Sequence, residues 1–127
     1  LDIDDFRDYN TNFGHQEGDA VIQFVAGILQ RELKGFVGRN GGDEFVFGYA
    51  GDLDKSEIET VISRILKELN ENYISPRTKK LMPVPCSIGI VSARGDSLDY
   101  ANLVQKADEA MYRAKEAGKN TFYIIEL

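Results

Sequence analysis

The sequence predicts an α+β domain in which helices pack on an antiparallel-containing sheet. Three observations predict it. Apolar residues recur at three- and four-residue spacing in three long segments, short β-rich runs lie between those segments, and Asn40-Gly41-Gly42-Asp43 joins two such runs as a tight hairpin. At 127 residues, with 43% hydrophobic and 28% charged side chains, the chain suits one globular domain with a core of its own.

The elements follow in order. Leu1-Asp2-Ile3-Asp4 alternates like a strand entered midway, so the domain is expected to be trimmed at its N-terminal side. Asp4 to Phe13 is polar with Phe6 and Tyr9 three apart, a short helix. After a loop at 14–18, Val21, Ile22, Val25, Ile28, Leu29 and Leu33 define an amphipathic helix with Asp19 as its expected N-cap. Phe36 to Arg39 and Glu44 to Tyr49 are the hairpin strands. Asp54-Lys55-Ser56-Glu57 is a capping-box-like start for a helix carrying Ile58, Val61, Ile62, Ile65, Leu66 and Leu69. Pro76, Pro83 and Pro85 bracket a loop with Arg77, Lys79 and Lys80, and Cys86 to Val91 reads as a buried strand. Ser97 is the expected cap of a last long helix, with Leu103, Val104, Ala107, Ala110, Met111 and Ala114 inward and Gly118 as its stop. Thr121 to Ile125 closes as a strand. Helix-then-hairpin and strand-helix-strand are units of the ferredoxin-like plan.

Composition excludes several functions. Fifteen basic against 21 acidic residues leave a net charge of −6, which repels a phosphate backbone and disfavours nucleic-acid binding. One cysteine, Cys86, and one histidine, His15, cannot build a disulfide, a cysteine-based metal site or a two-histidine site. The lone thiol and the lack of a membrane-length apolar run predict a cytoplasmic domain without direct membrane contact, any anchor lying in a region outside this chain.

The chemistry concentrates at Gly41-Gly42-Asp43-Glu44-Phe45. Adjacent glycines permit positive φ and let a ligand approach the backbone. Adjacent carboxylates are costly unless cations or hydrogen bonds compensate, and Phe45 alternates back into the core. Most Gly-Gly-Asp turns are solvated hairpin tips, but a specified pentapeptide arises by chance only on the order of once in ten thousand chains of this size.

This pentapeptide is the signature of the GGDEF family, the diguanylate cyclases, and the chain resembles that family throughout. Asp2-Ile3-Asp4-Asp5-Phe6-Arg7, Asn10, Phe13-Gly14-His15 and Gly18-Asp19 are similar to its second block. Ser87-Ile88-Gly89-Ile90 matches the intervening strand, and Ala107-Asp108-Glu109-Ala110-Met111-Tyr112, Ala114-Lys115 and Gly118-Lys119-Asn120 its C-terminal block. The resemblance implies a fold like the nucleotidyl-cyclase palm, residues 1–127 forming the catalytic domain, and condensation of two GTP into cyclic di-GMP with release of pyrophosphate in bacterial second-messenger signalling. The alternative is a catalytically silent GTP- or cyclic di-GMP-sensing module.

For this chain the resemblance implies two divalent cations, Mg²⁺ or Mn²⁺, held by Asp2, the Ile3 carbonyl, Asp43 and Glu44, a hard-oxygen donor set suited to such ions. Asp43 and Glu44 are both candidate bases. Arg7 stands where the family usually has Lys beside the triphosphate, and either cation stabilises charge on phosphorus. Gly41 and Gly42 line the substrate, and Lys115 and Lys119 match terminal-phosphate contacts, Lys119 replacing a common Arg. Asn10 and Asp19 match the guanine-reading pair, with His15 lining the same pocket. Catalysis is expected to need a homodimeric encounter, brought about by upstream sensory or dimerisation segments.

Departures from the pattern also carry predictions. Glu32 and Gly35 occupy the positions of the Arg and Asp of the inhibitory product site, so no such site is expected. Thr11 replaces an Asp usual after Asn10, and the family's N-terminal helix and its Leu-Thr-Gly-Leu-like turn are absent from the sequence.

Overall fold

The computed structural model describes residues 1–95 and 99–127. Its elements are β1 (Asp2–Ile3), α1 (Phe6–Phe13), α2 (His15–Glu32), β2 (Phe36–Arg39), β3 (Phe45–Gly48), α3 (Lys55–Glu71), β4 (Cys86–Ser92), α4 (Tyr100–Glu116) and β5 (Phe122–Glu126). This is the order the sequence predicts.

The sheet is assembled around β1. It pairs antiparallel with β4 (Asp2 opposite Ser87, Ile3 opposite Cys86), and β4 pairs parallel with β5. A parallel pair needs a long crossover, which α4 supplies. The β2–β3 hairpin, in register from Phe36 opposite Gly48 to Arg39 opposite Phe45, joins the other side of β1. There Asp2 bridges Glu44, Ile3 N–H donates to the Asp43 carbonyl at 3.1 Å, and Phe45 N–H donates to the Leu1 carbonyl at 2.8 Å. These few bonds fix the Gly-Gly turn beside the first acid of the chain.

Alternation along β4 sorts the two faces. Cys86 and Ile88 enter the core with Val21, Val25 and Leu29 of α2, Ile65 and Leu69 of α3, and Ile3 and Phe45, all at most 4% exposed. Ser87 and Gly89 face the other way. A Cβ on Gly89 would lie 2.2 Å from the Met111 nitrogen and 2.3 Å from the Ala107 carbonyl oxygen, so α4 packs with its backbone almost on the strand. Small residues permit this approach: Ala110 and Ala114 are fully buried. Their packing brings the C-terminal end of α4 to β1. Val104, expected inward, lies on the open flank and is exposed.

Two helix starts differ from expectation. Helix α2 begins at His15, four residues before Asp19, because Gly14 (φ 90, ψ 161) both ends α1 and opens α2. Asp19 therefore lies within the helix and is not its N-cap. The first turn was hidden because its buried residues are Glu17 and Gly18, which carry no apolar period. Ser97 falls outside the described residues, and the cap of α4 is Asp99, whose carboxylate accepts from Ala101 N–H at 3.1 Å. Asp54 does cap α3, accepting from Glu57 N–H at 2.8 Å. Among the described residues no helix is long and apolar enough to cross a membrane.

Candidate active site

Asp2 and Asp43 meet at the junction of β1 with the hairpin. Ile3 fills the core, so Asp2 points to the α4 face, where its side chain is only 16% exposed. One of its oxygens, Oδ2, is paired with the Lys115 ammonium, while Oδ1 is buried without any partner. Burial, and then the Asp2 carboxylate beside it, push the Asp43 carboxyl above its ordinary range, with Lys115 only partly countering them. Two like charges and an orphaned oxygen form an incomplete electrostatic arrangement, which a hard cation satisfies. Glu44 lies alongside as the bridge partner of Asp2, half-buried. Among the described residues no group of three or more His, Cys, Asp or Glu is gathered, so the acids present a pair rather than a closed cage. Gly41 (φ 77) and Gly42 (φ 48) hold the left-handed turn before Asp43, and Arg39 Nε braces it by donating to the Gly42 carbonyl at 2.9 Å.

Two lysines face the β1–α1 turn from the end of α4. Lys115 meets Asp2, and Lys119 Nζ donates to Asp5 Oδ1 at 2.9 Å, a pairing that raises the Lys119 pKa. Asp4, 8% exposed, ties the two segments together: Ser87 Oγ donates to its Oδ1 at 2.6 Å and Asn120 N–H to its Oδ2 at 2.8 Å. Arg7 is exposed on the first turn of α1, and among the described residues its guanidinium makes no ion pair.

The α1–α2 corner holds the remaining candidates. Asn10 Oδ1 is buried and unpartnered. Gly18 makes room for it, since a Cβ there would lie 1.8 Å from that oxygen. Asp19 and His15 are exposed near the start of α2, and His15 lines a cavity of about 590 Å³ with Phe13, Gln16, Pro76 and Arg77.

Sequence reasoning missed the role of Glu17. It is 6% exposed and accepts from Ser75 Oγ at 3.0 Å, Arg77 N–H at 2.9 Å, and the Tyr73 and Tyr9 hydroxyls at 3.4 Å each. One carboxylate thus fastens the 73–77 segment to the wall of the cavity, and burial raises the Tyr73 pKa, with Tyr9 and Glu17 adding to it. Except for Tyr9, its partners lie more than fifty residues away, beyond any local pattern.

At the predicted inhibitory-site positions, Glu32 is held by Arg64 Nε at 2.8 Å and by Arg31. A Cβ on Gly35 would lie 1.7 Å from the Gly48 carbonyl oxygen, so no side chain fits there.

Fold and site define a palm-like α+β domain that gathers carboxylates, lysines and an open glycine turn around the inner strand β1. The profile described as "Diguanylate cyclase, GGDEF domain" matches residues 1–121, and the chain belongs to the GGDEF family. It is 34% identical over 122 residues to diguanylate cyclase A of Treponema denticola, covering 94% of this chain and 32% of that protein. It is 36% identical over 125 residues to diguanylate cyclase DgcP of Pseudomonas aeruginosa, covering 94% of this chain and 18% of that one. Among solved structures, the active GGEEF domain of a diguanylate cyclase from Vibrio cholerae superposes with a TM-score of 0.80 at 28% identity, over 97% of this chain and 78% of that chain. The GGDEF domain of DgcB from Caulobacter crescentus, in complex with c-di-GMP, gives 0.76 at 29%, over 98% and 73%. The chain thus spans about a third or less of the length of these two curated relatives.

Proposed function

We propose that residues 1–127 form a diguanylate cyclase domain that condenses two GTP into cyclic di-GMP and two pyrophosphates. The observation that carries this reading is the meeting of Asp2 and Asp43, with one buried oxygen unpartnered, directly beside the lysines at the end of α4. Asp2 and Asp43, with the Ile3 carbonyl and Glu44, would hold two divalent cations, Mg²⁺ or Mn²⁺. When bound, such ions polarise the α-phosphate and acidify the attacking 3′-hydroxyl.

The chain's own groups do the rest. Asn10 and Asp19 read the guanine edge. His15 lines the base pocket. Gly41 and Gly42 admit the nucleotide close to the backbone, and Arg7, Lys115 and Lys119 neutralise the phosphates. Asp43 or Glu44 takes the proton from the 3′-hydroxyl. That oxygen forms a bond to the α-phosphorus of the second GTP as pyrophosphate leaves, and the same exchange in the opposite sense closes the ring.

The product is two-fold symmetric, and the chain carries one copy of each motif, so two domains meet face to face, each holding one GTP. In the whole protein, upstream sensory or dimerisation segments bring them together, in the cytoplasm. Intact hairpin acids disfavour a silent GTP- or cyclic di-GMP-sensing module. Incubating the chain with GTP and Mg²⁺ and separating the nucleotides tests the choice: cyclic di-GMP supports the cyclase, whereas saturable GTP binding without turnover supports the silent module.

A further inference from the structure

The β1–α1 turn has an acid that the carboxylate pair does not use. Asp4 is occupied internally by Ser87 and Asn120. Asp5 is instead exposed, and its backbone is left-handed at φ 54. Lys119 opposite it is also left-handed, at φ 64, as is Asn120 at φ 49. Asn120 is gripped on both sides, its N–H by Asp4 at 2.8 Å and its Oδ1 by Asn70 Nδ2 at 2.9 Å. The backbone therefore delivers the Lys119 ammonium to Asp5 from a fixed position.

We propose that Asp5 is a resident counter-ion for Lys119, which the terminal phosphate of the nucleotide must displace, so that Asp5 sets nucleotide affinity and its dependence on phosphate number. The inference rests on the reading of Lys119 as a phosphate contact. Both side chains are about half exposed, at 60% for Asp5 and 46% for Lys119. An ion pair in that setting is worth a factor of about five at most, weak enough for a polyphosphate to break. Once displaced, the Asp5 carboxylate stays attached to the turn that faces the phosphates and repels them. Both effects oppose binding, and both grow with the charge at the end of the ligand. Asp5 acts on the strength of binding and touches no reacting atom.

The substitution Asp5→Asn keeps the size of the side chain and suits a left-handed backbone, while removing the charge. Binding is measured by calorimetry at fixed Mg²⁺ with 3′-deoxy-GTP, which lacks the attacking hydroxyl, with 3′-deoxy-GDP and with guanosine. Asp5→Asn is expected to tighten the triphosphate about twofold to fivefold, the diphosphate less, and guanosine not at all. Raising the salt should shrink the gain. Lys119→Gln is expected to weaken the triphosphate, and thermal unfolding confirms that both variants fold. Unchanged or weaker triphosphate binding in Asp5→Asn, while Lys119→Gln does weaken it, overturns the counter-ion role alone. No effect of Lys119→Gln overturns the phosphate reading of Lys119, and the inference with it.

Discussion

Replacing Asp43 by Asn separates the two demands on this residue, folding and chemistry, because it removes a charge while keeping the shape. Two like unit charges about 4 Å apart near a protein surface repel by about 4 kcal/mol. Lys115, paired with Asp2, cancels much of this, and partial exposure screens more, leaving about 1 kcal/mol of net strain in the cation-free chain. The direction follows from the raised Asp43 pKa, caused by burial and by Asp2. The folded chain holds this proton more tightly than the unfolded one. Stability attributable to Asp43 therefore falls as pH rises from the ordinary carboxyl range through the raised folded value. At neutral pH, without divalent cation, Asp43→Asn should melt about 3–5 °C above the parent chain, and the gap should close on acidification. Saturating Mg²⁺ reverses the order. At ten times its dissociation constant a cation stabilises the parent by about 1.4 kcal/mol, whereas the variant has lost a ligand. Cyclase activity should fall by several decades. Thermal unfolding of both chains, with EDTA and with Mg²⁺, reads all of this. A variant that melts lower in EDTA would show that Asp43 does not strain the cation-free fold, and one that gains as much from Mg²⁺ as the parent would show that Asp43 does not bind the cation.

Three further outcomes follow from the close approaches in the fold. Gly18→Ala puts a Cβ 1.8 Å from Asn10 Oδ1, the end of a flexible side chain. The fold should survive, helped by up to about 1 kcal/mol of helix propensity, while GTP affinity drops about tenfold or more; unchanged affinity would remove Asn10 from base recognition. Gly89→Ala meets α4 backbone at 2.2 Å and 2.3 Å, which cannot yield, and should cost about 3 kcal/mol in urea unfolding. Added cyclic di-GMP should produce no non-competitive inhibition, and Gly35→Asp should destabilise the hairpin rather than restore an inhibitory site, because its Cβ meets the Gly48 carbonyl.

The order of elements was legible because each long helix has its own apolar stripe and the hairpin its own glycine turn. Boundaries failed where the signal was polar: α2 starts at His15, yet its period becomes visible only at Val21. The acid pair was legible only through the family motifs, because the backbone bridge that sets Asp2 opposite Glu44 spans about forty residues and no local pattern encodes it. The supporting groups were not legible. Nothing in Asp2-Ile3-Asp4-Asp5 distinguishes the acid that faces Asp43 from the one buried against Ser87 or the one holding Lys119, since that division depends on where α4 ends in space.

The stoichiometry of the reaction separates condensation of two GTP from every other fate of the nucleotide. The chain is incubated with GTP and Mg²⁺, and pyrophosphate and guanine nucleotides are counted over time at several chain concentrations. Condensation predicts two pyrophosphates per cyclic di-GMP, no cyclic mononucleotide, and specific activity that rises with chain concentration as encounters become more frequent. One pyrophosphate per cyclic mononucleotide, or GTP consumed without pyrophosphate, would exclude condensation.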